Sequence, residues 1–205
     1  MLRFDAARRM SIICRAVAFV CGVAFAASAV FAQSSGDPRR GAAKAVACGS
    51  CHGSPERPPL AGMPSLAGQQ EQFLVLQIFL LREGLREVPQ MAGMFNGLSD
   101  PDLTDMAAHF ASQAPPSGNA SRDPKLHTRG AGLSKAMGCG SCHLNDYRGQ
   151  KQVPRIANQR EDYLAATMKA YRDNQRTGAD TNMNGILYRM PDGDIQALAH
   201  YLAHQ

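Results

Sequence analysis

The 205-residue chain has no tryptophan, and only 6% of it is aromatic. It also has no period-two alternation of useful length, which excludes a half-buried β-sheet and leaves an all-α fold. It has no basic patch interleaved with aromatics, which excludes a nucleic-acid surface. After residue 32 it has no stretch apolar enough to span a bilayer. The one long apolar run, 16–32, follows Arg3, Arg8, Arg9 and Arg15 and ends on Val30-Phe31-Ala32 before Gln33. That order reads as a cleaved export signal over residues 1–32, with small residues at −3 and −1. The alternative is an uncleaved anchor, since 17 apolar residues lie near the lower limit for a span. Bulky Phe19 and Val20 before Cys21 argue against a lipoprotein signal. With Cys14 and Cys21 removed, the remaining chain keeps four cysteines and no odd thiol.

The net charge of +5 is unevenly spread. The signal carries four Arg and one Asp, residues 33–113 carry six basic and eight acidic side chains, and residues 114–205 carry twelve and eight. The second half is therefore basic and the first slightly acidic. This is either a dipole that orients docking or solvated surface.

The four cysteines fall in two copies of one pentapeptide, Cys48-Gly49-Ser50-Cys51-His52 and Cys139-Gly140-Ser141-Cys142-His143. C-x-x-C-H is the sequence form of covalent haem attachment. Two thiols one helical turn apart add to the haem vinyls, and the adjoining histidine supplies an axial ligand to iron. The competing readings are a thioredoxin-like pair, a zinc site and disulfides. The first needs a preceding strand, which neither copy has. Zinc usually takes four protein ligands, and each copy offers three. Four free thiols in an exported chain would be oxidised, a fate that haem attachment removes.

The repeat extends beyond the pentapeptide. Gly41 and Gly132 each stand seven residues before the first cysteine. Pro64-Ser65-Leu66-Ala67-Gly68-Gln69 returns as Pro154-Arg155-Ile156-Ala157-Asn158-Gln159, and four residues after each Gln comes Phe73-Leu74 or Tyr163-Leu164. Each unit is expected to hold three helices, at 38–51, 70–84 and 100–112, and at 127–142, 160–176 and 192–203. Ser99 and Asp102 make a capping box. Ala114-Pro115-Pro116-Ser117-Gly118-Asn119 is linker-like. The division is thus domain 1 at 33–113, a linker at 114–124 and domain 2 at 125–205. Units of about 80 residues are short of core, so a buried haem would complete each one.

A sixth ligand is sought between the second and third helices. Met91 and Met94 lie in that loop of the first unit, and the repeat separates them. Met91 stands eight residues before Ser99 and Met183 eight before Pro191, whereas Met94 aligns with Ile186. His52 to Met91 spans 39 residues and His143 to Met183 spans 40. Met91 and Met183 are therefore the expected thioether ligands, with Met63, Met106, Met190 and the other histidines set aside. The second nitrogen of each axial histidine needs an acceptor, and the carbonyls of Pro64 and Pro154 are the candidates.

On ACGSCHG, MPSLAGQQEQFL, MAGMFNGLSDPDLTDMAAHFASQ, the second CGSCH and VPRIANQREDYL, the chain resembles the dihaem cytochrome c4 family. That resemblance implies two tandem class I cytochrome c domains in the periplasm, two haem c groups with His/Met ligation, and haems facing across the domain interface with propionates close together. It also implies single-electron transfer between a cytochrome bc1-type donor or a dehydrogenase and a terminal oxidase. The aromatic usual in the family's third helix is present as Tyr201 but is His109 in the first half. Three functions follow: an electron carrier, an electron-accepting subunit of a dehydrogenase such as flavocytochrome sulfide dehydrogenase, or a dihaem enzyme.

Overall fold

A computed structural model describes residues 36–54, 57–117, 121–176 and 181–205. The export signal and the proposed cleavage site lie outside the described residues, as do three residues of the proposed linker. Every regular element among the described residues is helical, and two isolated bridges are the sole β pairings. No described helix is long and apolar enough to cross a membrane.

Helix α1 runs Pro38–Ala45, continues as a 3-10 turn through Val46–Cys48, and leads into the single turn α2, Gly49–His52. Asp37 caps α1 by accepting from the amides of Arg39 and Arg40, beside Pro38, whose missing N–H costs nothing in a first turn. Helix α3 spans Glu71–Arg82, and a 3-10 turn at Pro89–Met91 precedes α4, Asp100–Ala111. The capping box at α4 forms: Asp102 accepts from the Ser99 amide at 2.8 Å and Ser99 accepts from the Asp102 amide at 3.4 Å.

The second half repeats the plan with α5 at Pro124–Ala136, α6 at Cys139–His143, α7 at Glu161–Arg172, α8 at Asn182–Leu187 and α9 at Asp192–Leu202. Two differences from the sequence reading stand out. The helix expected at 127–142 starts at Pro124 and breaks at Gly138, which turns left-handed with φ 67°. The stretch around Met183, read as loop, is the short helix α8.

Each half has its own apolar cluster. Leu74 and Ile78 of α3 meet Leu103, Met106 and Phe110 of α4 in the first. Leu164 and Met168 of α7 meet Ile195, Leu198 and Leu202 of α9 in the second. The first helix of each half crosses the last at a glycine, because a Cβ at Gly41 would overlap the Asp105 carbonyl and one at Gly130 would overlap the Ala197 carbonyl. Gly132, read as the counterpart of Gly41, has open space around it. The true counterpart stands nine residues before Cys139 rather than seven, because the Gly138 turn adds residues between the crossing and the motif.

The halves are joined by side-chain amides. Gln69 grips the backbone of Arg155, accepting from its N–H at 2.6 Å and donating to its C=O at 3.0 Å. Gln159 grips Ser65 in the same way at 2.8 and 2.9 Å. Gln70 donates to the carbonyls of Arg148 and Gly149.

Candidate haem sites

In the first run a 3-10 turn ending at Cys48 passes into the turn Gly49–His52, and the second run is one turn, Cys139–His143, so the two cysteines of each run are about one helical turn apart. All four cysteines are thiols without a disulfide; Cys48 is buried, Cys139 half-buried, and Cys51 and Cys142 exposed. Burial pushes the Cys48 thiol above its ordinary value.

The two histidines are held alike. His52 Nδ1 lies 2.9 Å from the Pro64 carbonyl oxygen and His143 Nδ1 lies 2.9 Å from that of Pro154. A carbonyl can only accept, so Nδ1 carries the hydrogen and Nε2 presents a lone pair. Burial, partly opposed by those carbonyls, holds both imidazoles below their ordinary pKa and hence neutral. A neutral imidazole with Nδ1 anchored and Nε2 free is the form that ligates a metal. Pro64 and Pro154 thus act as the orienting acceptors, and the rigid turn each occupies fixes the ring plane. In the second half Gly149 makes this possible. Its backbone is left-handed at φ 74°, and any Cβ there would collide with the Pro154 carbonyl.

The methionines differ in burial. Met91 ends its 3-10 turn half-buried against the first cluster, and Met183 packs half-buried against the second. Met94 is 48% exposed and its counterpart Ile186 is 42% exposed. Met106 and Met190 are buried core. Met63 is half-buried and precedes the Pro64 turn on the histidine side. Among the other histidines, His200 is buried and fully engaged, accepting from the Asp123 amide and donating to Glu161.

The donor set fits two haem groups, and three half-buried arginines offer partners for further acid groups. Arg155 Nε and Arg176 Nε are buried without a hydrogen-bond partner. Arg86 reaches the Gln77 amide, and burial together with the nearby Arg176 lowers its pKa. Among the described residues none of these three arginines pairs with a carboxylate. Arg176 Nη1 reaches the Tyr163 and Thr167 hydroxyls, but the two buried Nε donors without partners are costly, and acid groups arriving with a cofactor would satisfy them.

These features define a c-type cytochrome with covalently bound haem, an electron-transfer protein. The family description cytochrome c matches residues 127–205. Cytochrome c4 of Pseudomonas aeruginosa is 35% identical over 182 residues, spanning 83% of this chain and 90% of that protein. The crystal structure of reduced recombinant cytochrome c4 from Pseudomonas stutzeri superposes with a TM-score of 0.76 at 33% identity, over 82% of this chain and 98% of that one. The thiosulfate dehydrogenase electron acceptor of Thiomonas intermedia is 32% identical, over 79% of this chain and 80% of that protein. The chain belongs to the cytochrome c4 family, and its class I cytochrome c fold accommodates two haem c groups.

Sequence reasoning named the cysteines, histidines, methionines and prolines as candidates for these sites. It missed Gln69, Gln159 and Gly149. The two glutamines were visible as fixed points of the repeat, but their partners lie about 90 residues away in the other half, a distance that periodicity cannot register.

Proposed function

We propose that this protein is a periplasmic carrier of single electrons between respiratory donors and a terminal oxidase or reductase. In this reading Cys48 and Cys51 hold the first haem and Cys139 and Cys142 the second. His52 with Met91, and His143 with Met183, are the axial pairs, in domains spanning 33–113 and 125–205. The bound haem supplies an iron that gains or loses one electron. The chain would hold that iron between fixed, neutral imidazoles and soft thioethers, a ligand set that would keep reorganisation small when the electron moves. Met ligation raises the potential. The observation that carries the reading is the paired anchoring of His52 and His143 by proline carbonyls at the same 2.9 Å. Together with Met91 and Met183, half-buried against the two clusters, it supports two closed sites of one design rather than one carrier site and one open catalytic site.

The likeness to a thiosulfate dehydrogenase electron acceptor supports a second reading, in which this chain takes electrons from a periplasmic dehydrogenase. Purification of the holo-protein from its own cells separates the two. A carrier elutes alone and exchanges electrons with both a donor and an oxidase; a subunit co-elutes with a dehydrogenase.

A further inference from the structure

We propose that Gln159 and Gln69 set the donor strength of the axial histidine in the opposite half, each acting through one shared peptide group. This rests on reading His52 and His143 as iron ligands.

The Pro64–Ser65 peptide is engaged at both ends. Its oxygen accepts from His52 Nδ1 at 2.9 Å, and its N–H donates to Gln159 Oε1 at 2.8 Å. The Pro154–Arg155 peptide repeats this with His143 at 2.9 Å and Gln69 Oε1 at 2.6 Å. Gln69 and Gln159 are each 6% exposed and Ser65 is 8% exposed, while Arg155 is half-buried. Each glutamine also donates from Nε2 to the next carbonyl, which fixes the plane of its amide.

A peptide whose N–H is hydrogen-bonded carries a more negative oxygen, because successive hydrogen bonds polarise one another. A stronger acceptor at Nδ1–H makes the imidazole a more basic ligand, and a more basic ligand favours ferric iron. The glutamine of one half therefore lowers the potential of the haem in the other. Separation of the halves would raise both potentials, so the interface belongs to each site. Gln70 also bridges the halves but touches neither of these peptides. It separates tuning from mere adhesion.

The test uses the full-length holo-protein, with redox titration followed by NMR so that hyperfine-shifted signals report each haem separately. Gln159→Leu should raise the potential of the His52 haem, seen as about a two- to fivefold fall in its ferric-to-ferrous ratio at fixed potential, and leave the His143 haem unchanged. Gln69→Leu should do the reverse, and Gln70→Leu should move neither. Gln159→Glu keeps an acceptor for the Ser65 amide and should not raise the potential, which covers the case of a leucine variant that does not fold. A shift at the haem of the substituted half, equal shifts at both, or a Gln70→Leu effect of the same size would overturn the proposal. Unmoved potentials with both His/Met spectra intact would overturn the relay alone. A His52 Nδ1–H signal with no hyperfine shift would overturn the ligand reading beneath it.

Discussion

The two halves share a backbone path but not the residues that make it easy. Directly after the histidine of the C-x-x-C-H run the first half has Gly53 and the second has Leu144, yet both are left-handed and extended, at φ 85°, ψ 175° and φ 66°, ψ 162°. Before the last helix Gly97 at φ 77° corresponds to Arg189 at φ 59°. Gly68 and Gly84 correspond to Asn158 and Asn174, residues that tolerate this conformation. The conformation at Leu144 is one that only glycine adopts readily, at a cost of about 1–3 kcal/mol for other residues. The path is therefore imposed by the histidine anchor and the helix crossing, not by local preference. The second half carries strain that the first avoids.

The largest effects should come from the methionines proposed as thioether ligands. Met91→Ala and Met183→Ala are each expected to abolish half of the red-edge absorption band of Met-ligated ferric haem and to open one iron to carbon monoxide. Unequal losses would break the equivalence of the two sites, and loss on replacing Met94 instead would reassign the ligand. Next come the helix crossings. Gly41→Ala and Gly130→Ala should each destabilise their own half by about 1–3 kcal/mol, because the new methyl overlaps a carbonyl. Gly132→Ala should stabilise by up to about 1 kcal/mol, since it fills open space in a helix interior. Denaturant unfolding of the holo-protein reads all three, and a loss at Gly132 would restore the seven-residue register. Leu144→Gly should then stabilise the second half by about 1 kcal/mol by relieving the left-handed strain, with Gly53→Leu acting in the opposite direction.

The smallest difference lies in pH dependence. Both halves have an acid limb. Lys44 and Ser99 hold Asp102, and Lys169 and Arg172 hold Asp192, at about 2. A carboxyl depressed in the folded state stabilises above its ordinary value of about 4, and that stability is lost as pH falls towards about 2. An alkaline limb should be confined to the second half. Burial and the Tyr147 hydroxyl raise Tyr201 to about 12. Its contribution is complete below about pH 10 and is lost as pH rises from there to about 12. His109 occupies the matching place in the first half and pairs with Gln113. Half-resolved hydrogen exchange should show the alkaline loss in the second half alone, and Tyr201→Phe should remove it.

Much of this was legible in the sequence. The all-α class, three main helices per half, the capping box at Ser99 and the proline carbonyls behind His52 and His143 all follow from short-range signals: helical spacing, cap residues and the rigidity of proline. What could not be read depends on tertiary contact. Gly130 is distinguished from Gly132 only by the α9 backbone passing over it. Helix α8 holds one turn and a half and lacks a side-chain cap, so no local signal announces it. Gln69 and Gln159 look like ordinary helix-flanking polar residues until the other half is folded against them. Leu144 gives no hint of a left-handed turn, because its conformation is dictated from outside its own neighbourhood.

Two closed His/Met sites of one design can be checked by an optical redox titration of the purified holo-protein in the presence of carbon monoxide. Two one-electron steps are expected, with the red-edge band of the ferric form lost in equal parts at each step and no carbon monoxide adduct at either iron. A single step carrying the whole band, or an adduct forming at one reduced haem, would contradict that design.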